Sequence, residues 1–129
     1  MSSVNVSITG HLADTPELRQ TEAGRSVTNF TILANERRFD DATQSWVDAH
    51  KTAVRVTAWG RLAENLVGTI GVGHEATVTG SRLTAMAYIP RDGGDPRASL
   101  ELIANSVSVE LGKQTAEVAK APKPEAGPA

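Results

Sequence analysis

The stretch Lys51–Gly60, KTAVRVTAWG, decides how the rest of the chain is read. Side chains on a strand alternate between faces, so Val54, Val56 and Ala58 point one way and Arg55, Thr57 and Trp59 the other. The first set is what a small β-core needs. The second puts a guanidinium and an indole on one exposed face, on either side of Thr57. Residues 61–70, RLAENLVGTI, then repeat apolar positions at Leu62, Ala63, Leu66, Val67 and Ile70, the pattern of a short amphipathic helix.

Working outward, residues 4–12 alternate Val4, Val6 and Ile8 against Asn5, Ser7 and Thr9, a half-buried strand with Gly10 as a bend. Asp14-Thr15-Pro16-Glu17 predicts a capped turn, and residues 20–26 a polar, hairpin-like connection. A second strand is expected from Val27 to Arg38, apolar in part on both faces; continued alternation would put Asn35, Arg37 and Phe39 on one side. Residues 40–50 are polar and contain Trp46, so a loop is expected there. On the other side of the helix, residues 74–84 predict a strand with a bend at Gly80, and residues 85–96 a long loop holding Tyr88. Ser99 to Leu111 predicts the last strand, with a one-residue slip of phase near Asn105-Ser106.

Three strands, a short helix and two strands is the order of an OB-fold. The expected class is therefore all-β, a five-stranded barrel with the helix between strands three and four plugging one end. This domain should occupy residues 1–111. From Gly112 the composition shifts to Ala, Pro, Lys and Glu without periodicity, so residues 112–129 are expected to form a disordered Ala/Pro-rich tail.

Composition narrows the function. At 129 residues there is room for one domain and a tail. Without cysteine there are no disulfides and no thiolate metal sites; His11, His50 and His74 are scattered, so no metal or other cofactor is expected. The segment MSSVNVSITG has neither the basic start nor the apolar run of a signal peptide, and no stretch approaches the roughly 20 apolar residues of a membrane span. A cytoplasmic protein away from the membrane is expected. Up to Val109 ten Arg and Lys face twelve Asp and Glu, so no overall basic excess announces a nucleic-acid partner. The acids gather in expected turns, however, while Arg37, Arg38, Arg55 and Arg82 lie on or beside strands, which leaves room for a local basic groove. His11, Asp14 and Glu17 are explained by turn chemistry, and no nucleophile is suitably spaced, so catalysis is not expected.

Across residues 4–110 the chain resembles the bacterial-type single-stranded DNA-binding proteins. The resemblance rests on Asn5-Val6 through Gly10-His11-Leu12, Asp14 to Arg19, Val27 to Ile32, Ala34-Asn35, Arg38-Phe39, Trp46-Val47-Asp48, Arg55 to Asn65 and Val78-Thr79-Gly80, in the family's order and spacing. It implies a homotetramer, associated with the nucleoid, that stacks bases on aromatic side chains and tracks phosphates with basic ones during replication, recombination or repair. Phe39 and Trp59 fall at stacking positions, Tyr88 near a third with a one-residue shift, and Arg55 at a basic position. A fourth platform is Ala53 here, so weaker binding than in a fully equipped member is expected. Many members end in an acidic stretch with a hydrophobic tip that recruits other enzymes; this sequence ends Lys123-Pro-Glu-Ala-Gly-Pro-Ala129, and such recruitment is not expected.

Five of the candidates have a plainer reading. Trp59 could be packed beneath the helix, Trp46 could anchor a loop, and Arg37, Arg38 and Arg82 could be ordinary solvated charges. The rival function is an OB-fold protein-interaction module, a primosome or recombination accessory, with weak nucleic-acid binding.

Overall fold

The computed structural model describes residues 2–122; the terminal sequence from Lys123 to Ala129 lies outside the described residues. In chain order the elements are β1 (Val6–Leu12), β2 (Arg19–Gln20), β3 (Ser26–Asp40), β4 (Ser45–Trp59), α1 (Gly60–Leu66), β5 (Glu75–Tyr88) and β6 (Arg97–Val109). The strands run β1-β5-β6-β4-β3-β2 across one sheet, and a further pairing of β1 with β3 closes it into the expected five-stranded barrel. The two-residue β2 is an appendage on β3, so the helix still follows the third barrel strand. All contacts between neighbours are antiparallel except β4 with β6.

Closure happens at a corner. β1 pairs with β5 from Val6 to His11, then with β3 at His11 and Leu12. At Gly10 a Cβ would press into the Leu33 carbonyl, so only glycine permits this approach. Inside lie Leu12, Phe30, Ile32, Val54, Val56, Val78 and Leu102, the inward positions of the alternating strands. Ala63 and Leu66 of α1, with Ile70 beyond it, join this core and close one end of the barrel. Buried Thr28 donates to the Glu17 carbonyl at 2.8 Å and Ser26 to Glu64 Oε1 at 3.0 Å. Among the described residues no buried side-chain polar atom lacks a partner.

Three sequence expectations need correction. The helix stops at Leu66 rather than Ile70, because Gly68 takes a left-handed φ of 84° and Val67 bridges to Ile70 instead. The expected loop at 40–50 is mostly strand, with only residues 41–44 turning. Likewise β5 runs on to Tyr88 and β6 starts at Arg97, which shortens the loop expected over 85–96. Both ribbons stand off the barrel, exposed on both faces, so they show no apolar alternation to read. The segment 20–26 is the hairpin-like connection expected, with Gln20 of β2 paired to Ser26 of β3 and residues 21–25 joining them.

Beyond Gly112 the described chain has no helix or strand. It is nevertheless tied down: the Gln114 amide accepts from the Glu75 N–H at 3.0 Å and donates to its carbonyl at 2.6 Å, as a strand neighbour would. Arg61 Nη2 donates to the Pro122 carbonyl at 2.6 Å.

Candidate functional site

The site is built on the outer face of β3, β4, β6 and β5, and register decides its membership. Val54, Val56 and Ala58 are buried, so Ala53, Arg55, Thr57 and Trp59 face outward as expected. Across β3 they pair with Leu33, Thr31, Asn29 and Val27; across β6, Arg55 and Thr57 lie beside Glu101 and Ile103. Ile103 in turn pairs with Arg82 of β5.

A bulge then recruits the hairpin tip. His50 pairs with Glu36 but Asp48 with Arg37, which leaves Ala49 as an extra residue in β4. The extra residue reverses the alternation of β4. Trp46, an even-numbered residue that strict alternation would put with Val54 and Val56, lands on the face of Arg55 and Trp59. There it meets Phe39, its register partner, edge to face with ring centroids 5.7 Å apart. Both rings are exposed, so Trp46 is not a buried loop anchor. Arg37 shares the Phe39 face; its neighbour Arg38 pairs with Val47 and points to the other.

A double bulge shapes the opposite hairpin. Thr79 pairs with Ser106, Gly80 with Ala104 and Arg82 with Ile103, so Asn105 and Ser81 are both extra. Their side chains meet, Asn105 Nδ2 donating to Ser81 Oγ at 3.2 Å. A Cβ on Gly80 would run into the Ile103 carbonyl and the Leu102 side chain, which explains the glycine and the phase slip together. Past this point Arg82, Thr84, Met86 and Tyr88 share a face, with Tyr88 opposite Arg97 and half-exposed.

Electrostatics temper the basic stripe. Arg55 Nη1 stands 3.8 Å from Asp14 Oδ2 and Arg37 Nε 3.4 Å from Asp48 Oδ1. Glu101 sits beside Arg55 in register. Exposed pairs of this kind contribute about 0–1 kcal/mol, so a competing phosphate can exchange into them cheaply. Asp14 also accepts the Thr31 N–H at 2.8 Å, which ties the turn after β1 to this face.

The structure therefore gathers Trp59, Arg55, Arg37, Phe39, Trp46, Arg82 and Tyr88 on one continuous surface and sets Arg38 apart. It also brings in residues that the sequence did not single out. Lys51 is exposed on β4 between Ala53 and the bulge, and Arg19 Nη2 donates to Asn29, whose amide donates to Thr57 Oγ1 at 2.7 Å. Arg25 lies over the Trp59 ring, its guanidinium carbon 4.4 Å from the centroid. No local signal marked Arg25, since its proximity to Trp59 depends on the pairing of Val27 with that residue.

Residues 4–110 match the profile of the Single-strand binding protein family. The single-stranded DNA-binding protein of Corynebacterium glutamicum is 32% identical over 123 residues, 95% of this chain and 54% of that protein. Its counterpart in Paenarthrobacter nicotinovorans is 33% identical over 113 residues, 88% of this chain and 65% of that one. The chain thus spans between about half and two thirds of the length of these two relatives. The crystal structure of a small single-stranded DNA-binding protein from Streptomyces coelicolor superposes with a TM-score of 0.74 at 25% identity, covering 88% of this chain and all of that one.

Proposed function

The chain belongs to the Single-strand binding protein family, and from that premise we propose that it binds single-stranded DNA without sequence preference and without catalysis, protecting it during replication, recombination or repair. One observation carries the proposal: a continuous outer face has an aromatic ring at one end of β4, an aromatic pair at the other, and cations between. Every base has a π-face, so stacking is sequence-tolerant, and duplex DNA hides those faces. From residue 46 to 59 at about 3.3 Å per residue, the two ends of β4 lie roughly 40 Å apart. One base cannot use both, whereas an extended strand can.

In this proposal Trp59, Phe39, Trp46 and Tyr88 stack bases, and Arg55, Arg37 and Arg82 contact phosphates. Arg38 serves the opposite face of the hairpin. Ala53 leaves a gap between Arg55 and Lys51, which weakens binding. The assembly is a homotetramer, acting in the cytoplasm on the nucleoid; no described helix is long and apolar enough to cross a membrane.

Titration with oligo-dT at two salt concentrations, followed by tryptophan fluorescence, tests the proposal. Quenching that weakens as salt rises is expected, because phosphate contacts release counterions. Unchanged emission at micromolar protein in low salt would overturn it in favour of a protein-interaction module.

A further inference from the structure

Arg25 is fixed by its turn. Thr21 N–H donates to the Arg25 carbonyl at 2.9 Å, Arg25 N–H donates to Thr21 Oγ1 at 3.2 Å, and Gly24 N–H donates to the Thr21 carbonyl at 2.8 Å. These bonds close the hairpin from β2 to β3 and fix the Arg25 backbone, while its side chain stays exposed and within reach of Trp59. Trp59 pairs with Val27, two residues along β3 on the same face, and the guanidinium settles on the indole. Beside this pair opens a cleft of about 410 Å³, lined by Arg25, Trp59, Arg82, Ile103 and the two bulge residues Ser81 and Asn105. Arg37 and Arg55 already have carboxylate partners; among the described residues Arg25 and Arg82 make no ion pair.

We infer that Arg25 is a resident cap on the Trp59 platform, displaced by the base that stacks there and then paired, opposite Arg82, with that nucleotide's phosphate. The inference rests on the proposed binding of single-stranded DNA. The physical case is one of exchange. An exposed cation–π contact contributes about 0.5–1 kcal/mol, less than the roughly 1–3 kcal/mol of a stacked base, so the base wins the ring. The freed guanidinium stays tethered to a fixed backbone at the mouth of a cleft that a phosphate enters with the base. Two arginines without ion pairs in the cleft lining give that charge two donors with planar forks.

Arg25→Ala separates the two halves of this idea. In a Trp46→Phe background all tryptophan emission comes from Trp59, since the chain has two tryptophans. Without DNA, acrylamide should quench the Arg25→Ala protein more steeply than its parent; equal quenching means that the ring is not capped. With oligo-dT and Trp46 intact, the plot of log affinity against log salt should be shallower by about 0.7, the loss of one phosphate contact to a single strand. The Arg25→Ala line should lie below wild type at low salt and cross it at high salt, where the uncapped ring counts for more. Arg25→Lys should keep the slope. A line for Arg25→Ala parallel to wild type would overturn the inference while leaving the proposed function standing. If wild type itself fails to bind oligo-dT, the proposed function falls and the inference with it.

Discussion

The two ends of β4 carry the same kind of residue under opposite conditions. At its end against α1, Trp59 lies on the barrel wall, half-buried, over Val27 and beneath Arg25. The strands beneath it are held by Phe30, Val56 and Ala58, all fully buried. At the other end Phe39 and Trp46 stand on a two-stranded ribbon with no core below, and each ring is supported chiefly by the other. One ring is backed by the core and covered by a cation. The other is exposed and covered by nothing but its partner. The difference teaches that an outward aromatic surface can be positioned either by the barrel or by register alone, and that each way should fail differently.

The largest expected effect tests the barrel. Phe30→Ala removes a fully buried ring and should cost about 3–5 kcal/mol of stability, read as a shift in the urea midpoint at unchanged slope. Since the Trp59 platform rests on that wall, its DNA affinity should fall with the folded fraction; loss of affinity in molecules that remain folded would show that the barrel tunes the site directly. Next comes Trp59→Ala, which should weaken oligo-dT binding by about 1–3 kcal/mol, roughly 5- to 150-fold, while circular dichroism stays native. A protein that unfolds with unaltered binding per folded molecule would instead make Trp59 a packing residue. The smallest effect belongs to the ribbon. A double-mutant cycle on Phe39 and Trp46 should return a coupling of about 0.5–1.5 kcal/mol in stability, the usual worth of an edge-to-face pair. Zero coupling would mean that the two rings do not meet in solution.

Legibility followed the same division. Where one side of a strand is buried, alternation is written in the residues, so Val54, Val56 and Ala58 announced the core and Arg55 and Trp59 the outer face. On the ribbons both sides meet water, no side is selected for apolarity, and Asp40–His50 and Ala85–Pro96 looked like loops. Gly80 and the slip near Asn105 were visible separately as a bend and a phase change. That they are one feature, two bulges facing each other across β5 and β6, was not.

By itself the sequence determined the inward set, the order of elements and the family, because these depend on local periodicity and on motifs in a fixed order. Tertiary structure alone decided which side chains meet. The extra residue Ala49 carried Trp46 to the face of Trp59, and the pairing of Val27 with Trp59 laid Arg25 on the indole. Register of this kind comes from closing the whole barrel. A single inserted residue reverses a face, and the local apolar periodicity does not record that the reversal occurred.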